Sequence, residues 1–194
     1  MHGRECYRRN SEAVNYSFYK NMMLVVPLWM FGFFSKFSGT QIYNQAAYSV
    51  YNVFFTALPI IWFATFDFEY SKETLLSKPR LYYIGLENKY MSGFASVRYM
   101  FYAVWYSTLM LFLCFITIDG YAWSGSEGKS GSLFIAGEFV FTMLVISVNM
   151  KILIGSTQVS FYSLFFVLGS VAAYICVFYF LSVYSPAAND YMVF

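Results

Sequence analysis

From Ile152 to Asn189 the chain carries no Asp, Glu, Lys or Arg. About 20 apolar residues in a helix cross the roughly 30 Å hydrocarbon core of a bilayer, so a stretch of this length has room for one crossing. Four further windows of similar character precede it. The first runs from Asn15 to Ser35 with Lys20 as its one charge, the second from Ala47 to Asp67, closed by that Asp, and the third from Tyr99 to Ile118, between Arg98 and Asp119. The fourth, Leu133 to Ile154, holds Glu138 and Lys151; the fifth, Val159 to Val183, lies inside the charge-free stretch. Backbone N–H and C=O groups in hydrocarbon must pair within their own segment, so each window reads as a helix. Only 11% of residues are charged and 59% are hydrophobic, with a mean hydropathy of +0.53. A soluble domain carries about 25% charge. The expectation is an all-α, multi-pass integral membrane protein, a helical bundle of five transmembrane helices.

Lys and Arg in short loops orient such a bundle, because they collect on the cytoplasmic side. With a cytoplasmic N-terminus, Arg4, Arg8, Arg9, Lys72, Lys78, Arg80, Lys89, Arg98 and Lys151 fall inside; Lys36 and Lys129 fall outside. Nine against two predicts a cytoplasmic N-terminus and an exoplasmic C-terminus. Residues 68–93 then form a cytoplasmic loop of mixed charge, too short for a domain core. Residues 36–46 and 119–132 form outer loops, the second rich in Gly and Ser. The basic residues before the first window do not make a signal peptide, since no small-residue cleavage site follows.

Several functions are excluded. Twelve Lys and Arg against ten Asp and Glu leave no basic face for nucleic acid. Cys6, Cys114 and Cys176 lie far apart, and a single His cannot complete a metal set, so no metal site and no catalytic constellation is expected. No Gly-rich phosphate loop, Asp-Lys-Thr-Gly motif or nucleophile–base pair occurs, so this stretch by itself cannot hydrolyse ATP. No ring of like charges lines a span, which argues against a channel.

The informative residues are therefore the polar ones inside the spans. An ionisable group at the centre of a membrane helix costs about 2.5–3.5 kcal/mol on insertion scales and needs compensation. Lys20, beside Asn21, has two readings. Its stem can snorkel to the headgroups, or its ammonium can serve a site at Pro27, which lacks an N–H and so leaves the Met23 carbonyl without a helical partner. Lys20, Met23 and Pro27 share a face at i, i+3, i+7. The second span repeats the arrangement: Asn52, Thr56 and Pro59 recur at i, i+4, i+7, and Pro59 frees the Phe55 carbonyl. This is either a hydrogen-bonded kink that packs two helices or part of a translocation path, since transporters place their sites at discontinuous helices near the midplane. In the fourth span Glu138, Thr142 and Asn149 share a face, with Glu138 near enough to the outer end for water to reach it. Lys151 is expected to snorkel, and Gly169 with Ala173 to make a small-residue packing face.

Set in order, these residues resemble a known family. His2-Gly3-Arg4-x-x-Tyr7-x-Arg9 and Tyr16-x-Phe18-Tyr19-Lys20-Asn21 resemble the start of the fifth transmembrane helix of lipid-flippase P-type ATPases. Phe31-x-x-Phe34-x-x-Phe37-Ser38-Gly39 is similar to the loop that follows it, and Tyr51-Asn52-Val53-x-Phe55-Thr56-x-Leu58-Pro59 to the sixth helix, with Phe66-Asp67 at its end. Pro79-x-Leu81-Tyr82-x-x-Gly85 resembles the next loop and Val148-Asn149-x-Lys151 the eighth helix.

The resemblance implies the membrane-embedded part of an ATP-driven phospholipid translocase, moving lipid from the outer to the cytoplasmic leaflet. It implies that Lys20, Asn21 and Asn52 line the headgroup path, with Thr56, Pro27 and Pro59 beside them. It implies ATP and Mg²⁺ as cofactors bound outside this stretch. It implies as partners the phospholipid substrate, the membrane and the remaining flippase domains, with room in such assemblies for a two-span accessory subunit, and as location the plasma membrane or an endomembrane. Helices five to nine are matched, so a fragment is expected, lacking the phosphorylated Asp, the first four helices and a tenth. The alternative is a non-catalytic multispan scaffold or assembly module.

Overall fold

A computed structural model describes residues 2–87, 89–118, 133–157 and 160–184, and among these residues all regular structure is helical. The outer loop 119–132, Val159 and the tail after Tyr184 lie outside the described residues. Among the described residues, four helical segments are long and apolar enough to cross a membrane: Gln45–Phe66, Gly93–Thr117, Ile135–Gly155 and Phe161–Leu181. The first window belongs to α1, His2–Phe34, a single helix of 33 residues and about 50 Å. Asn15, Ser17, Lys20 and Asn21 make this helix more polar than those four segments.

Why α1 is one helix follows from a stripe at helical spacing. Arg4, Arg8, Ser11, Asn15, Tyr19 and Met23 are all buried, three or four residues apart, so one face is sealed along most of the length. From Asn15 to Met23 that face meets α6, Gly93–Ile118, through Ser96, Tyr99 and Ser107. Asn15 ties the two together: its Nδ2 donates to the Tyr90 carbonyl at 3.1 Å and its Oδ1 accepts from Ser96 Oγ at 2.9 Å. The helix runs uninterrupted through Pro27, which corrects the expectation of a break there. Lys36 (φ 52°), Phe37 (φ 55°) and Gly39 (φ 76°) then turn the chain in left-handed conformations, and the Phe37 N–H closes the helix on the Gly32 carbonyl at 2.8 Å.

The second window is broken into three. α2 spans Gln45–Val50 and is capped by Asn44, whose Oδ1 accepts from the Ala46 N–H at 2.9 Å. A π-helical turn, Tyr51–Phe55, follows; Thr56 leaves helical geometry at φ −136°, and α3 resumes over Ala57–Phe66. The loop beyond holds α4 (Lys72–Ser77), a 3₁₀ turn (Pro79–Tyr82) and α5 (Tyr83–Leu86).

α7 (Leu133–Gly155) forms the centre of the remaining core and α8 (Phe161–Tyr184) covers it. Phe141 of α7 lies edge-on to Tyr43, Tyr51 and Phe55, with centroids 5.2, 5.9 and 6.3 Å away, and 5.7 Å from Tyr174 of α8. Ile42, in the loop between α1 and α2, lies directly on α7: a Cβ at Gly137 would overlap the Ile42 carbonyl oxygen. Among the described residues nothing packs on the small-residue face expected at Gly169, where a Cβ would meet no atom within 4 Å. α8 instead buries Ser163, Val167, Ser170 and Tyr174.

Candidate functional site

Lys20 turns into the bundle. The residue is 8% exposed, and its Nζ donates to Thr56 Oγ1 at 3.0 Å. Thr56 is fully buried; its hydroxyl donates back to the Tyr51 carbonyl at 3.2 Å, across the π turn. Tyr51, also fully buried, donates its own hydroxyl to the Lys20 carbonyl at 3.2 Å. Lys20, Thr56 and Tyr51 thus form a closed ring of polar contacts between α1 and the broken span. Thr56 Oγ1 is the one hydrogen-bond acceptor of the Lys20 ammonium among the described residues.

The two carbonyls that proline frees have different fates. Pro59 cannot donate to the Phe55 carbonyl, and Asn149 of α7 does so instead, Nδ2 to O at 3.0 Å. An unmet carbonyl at so buried a position would cost about 1–3 kcal/mol. The Met23 carbonyl, by contrast, does not face the Lys20 ammonium. It lies 3.4 Å from Ser107 Oγ of α6, whose shorter bond, 2.6 Å, goes to the Ala103 carbonyl. The expected pairing of Lys20 with a free Met23 carbonyl is therefore replaced by Lys20 with Thr56.

Of the residues singled out from the sequence, Lys20, Pro27, Thr56 and Pro59 are buried, whereas Asn21 and Asn52 are exposed. Asn52 does not share the inward face of Thr56 and Pro59, which corrects the i, i+4, i+7 reading. The π turn carries i→i+5 bonding, so residues before it are out of α-helical register with residues after it. Tyr51 and Asn149 are the participants that sequence reasoning left out of the site. Asn149 had a signal: a freed carbonyl in one span requires a donor from another, and few polar side chains were available to supply it.

Lys151 has partners that the sequence did not point to. The residue is half-buried, and its ammonium sits 5.8, 5.1 and 5.4 Å from the ring centroids of Tyr19, Tyr99 and Tyr102, in a cation–π cage that joins α1, α6 and α7. Tyr99 is fixed by donating to Glu12 Oε2 at 2.5 Å. Glu138 is only 9% exposed, so bulk water does not bathe it in this arrangement. On the same face Thr142 Oγ1 lies 2.6 Å from the Tyr174 hydroxyl.

A charged cluster fastens the polar end of α1. Arg8 Nη2 donates to Asp67 Oδ2 at 2.7 Å, with both side chains almost wholly buried. Asp67 also accepts from the Thr157 N–H at 3.1 Å and the Thr157 hydroxyl at 3.2 Å. Arg4 pairs with Glu69 at 2.6 Å and donates through Nε to the Leu81 carbonyl at 2.9 Å. Burial disfavours the charge on Arg8, but the bond to Asp67 and the fields of Asp67, Glu5 and Glu69 outweigh it and raise its pKa. The ends of α3 and α7 and the loop after α3 are thereby tied to the first turns of α1.

Residues 1–194 match the family model described as phospholipid-translocating P-type ATPase C-terminal. The chain belongs to this family. It is 32% identical over 199 residues to the probable phospholipid-transporting ATPase 12 of Arabidopsis thaliana, an alignment that covers 100% of this chain and 16% of that protein. It is 30% identical over 190 residues to the phospholipid-transporting ATPase C887.12 of Schizosaccharomyces pombe, covering 97% of this chain and 15% of that protein. The chain of this phospholipid-translocating family member thus spans less than a fifth of the length of these relatives.

Proposed function

We propose that this chain is the membrane-embedded, lipid-handling part of an ATP-driven phospholipid translocase that moves lipid from the outer to the cytoplasmic leaflet. The observation that carries the reading is the buried Lys20 ammonium, held by a single Thr56 hydroxyl at the break of a spanning helix. An ammonium has three donors. Two remain for the phosphate oxygens of a headgroup, while Asn21 and Asn52, exposed at membrane depth, supply amides to the same lipid as its acyl chains stay in the bilayer. The break at Tyr51–Phe55, next to Pro59, provides the irregular backbone that transporters use around such a path.

In this reading α1 crosses the membrane as a fifth span through residues 15–35, with spans near 47–67, 99–118, 133–154 and 159–183. The basic residues put the N-terminus and the loop 68–93 in the cytoplasm and the C-terminus outside. Among the described residues no three His, Cys, Asp or Glu side chains converge on a point where Mg²⁺ could be held. ATP, Mg²⁺ and the phosphorylation step are assigned to the other domains of the transporter, and a two-span accessory subunit completes the proposed assembly.

The test is dephosphorylation of the transporter that contains this chain while phospholipid is titrated, wild type against Lys20→Arg and Lys20→Ala. Arg keeps the charge but presents a wide planar fork in place of a compact ammonium. Both variants should need more lipid for half-maximal dephosphorylation, with phosphorylation from ATP intact. Superimposable curves would overturn the headgroup path. A product of 22.5 kDa as the sole species in cells would favour the scaffold reading instead.

A further inference from the structure

The Phe55 carbonyl is the point at which the broken span depends on another helix. Pro59 denies it the backbone donor four residues on, and Phe55 is completely buried, so water does not replace that donor. Asn149 does, at 3.0 Å, and gives its second N–H to the Val145 carbonyl of its own helix at 2.9 Å. Both amide donors are used, and the orientation follows from them: a flipped amide would set Oδ1 against two carbonyl oxygens. Oδ1 itself is buried and makes no hydrogen bond among the described residues. An orphaned buried acceptor is unfavourable, and an apolar side chain of similar volume would pack here without one. Packing alone therefore gives no reason for an amide at this position; its donors do.

We infer that Asn149 is a positioning residue for the lipid path, holding the Tyr51–Phe55 turn in the π register that sends Asn52 outward and turns Thr56 in to Lys20. The inference rests on the headgroup-path reading above. A π turn holds one residue more than an α turn, and one residue of an α-helix corresponds to about 100° of rotation. If the Phe55 carbonyl loses its outside donor, the turn relaxes towards α geometry, and α2 rotates against α3. Asn52 then leaves its face without any change in its own chemistry. Asn149 touches no lipid in this scheme; it acts through the backbone of Phe55.

The experiment uses the transporter that contains this chain and the variant Asn149→Leu, alone and combined with Pro59→Ala. Alanine at 59 restores an N–H to the Phe55 carbonyl, so the cross-helix donor becomes dispensable. Asn149→Leu alone should raise the lipid needed for half-maximal dephosphorylation about tenfold, the equivalent of one buried hydrogen bond, with phosphorylation from ATP unchanged. In the Pro59→Ala background the same substitution should shift the curve far less. A nitroxide on Asn52→Cys, in a transporter stripped of other reactive cysteines, reads the orientation of residue 52 independently of transport. Its spectrum should change with Asn149→Leu and return with the double variant. Equal shifts in both backgrounds, or a spectrum indifferent to residue 149, would overturn the inference. If Asn149→Leu does not accumulate, the double variant must accumulate as Pro59→Ala does; failure of both also overturns it. A silent Lys20→Arg with a nitroxide still sensitive to residue 149 would remove the lipid path and leave the hold on the turn standing.

Discussion

Thr56→Val isolates the contact on which the lipid path depends. Valine reproduces the shape of threonine without the hydroxyl, so the buried Lys20 ammonium loses its 3.0 Å acceptor while the packing around a fully buried residue is conserved. A hydrogen bond to a charged group contributes about 1.5–3 kcal/mol. Near 200 residues, about 1 kcal/mol corresponds to 2–4 °C in melting temperature, so a loss of roughly 3–12 °C is expected. Thr56→Ser keeps the hydroxyl and should lose little. The discriminating comparison is made with Lys20→Met. With the ammonium gone, Thr56→Val forfeits only the neutral bond to the Tyr51 carbonyl, since removing both partners of a buried polar pair is far milder than orphaning one. Melting of all four members of this cycle, in detergent and at matched lipid content, gives the coupling directly. Equal losses from Thr56→Val with and without Lys20, or none in either, would refute the claim that these two side chains are bonded.

Two further outcomes follow from contacts away from the path. Asp67→Asn removes the charge that compensates Arg8 in a pair almost closed to solvent; orphaning one member of a buried pair costs about 3–5 kcal/mol, and protease resistance of the Thr157 segment should fall with it, whereas an unchanged digestion pattern would mean that the clamp contributes nothing. Gly137→Ala should displace the loop carrying Ile42, because the atom in the way is a backbone oxygen and overpacking of this kind costs about 1–3 kcal/mol; unaltered melting and unaltered reagent access to a cysteine at Gln41 would contradict the close approach.

What the sequence determined by itself is the part that depends on neighbours along the chain. Charge-free windows place the helices, because backbone groups in hydrocarbon must pair locally, and the presence of Pro59 already says that the Phe55 carbonyl needs a donor from elsewhere. The same local logic picked Lys20 and Thr56 as polar residues that something must satisfy, but it could not say that they satisfy each other. That depends on how far α1 is rotated and where it crosses the broken span, and those are set by side chains such as Phe141 and Tyr51 meeting across the bundle. For the same reason Pro27 passes without a break: the segment before it is packed along its buried face against α6. Lys151 finds three tyrosine rings from two other helices, which spacing along its own helix could not foretell. Helical periodicity failed in one place for a definite cause. It put Asn52 beside Thr56 by assuming 3.6 residues per turn, and a π turn, stabilised from a third helix by Asn149, changed the count. Spacing fixes which residues share a face only while the turn is regular, and here the regularity of the turn was decided by tertiary contact.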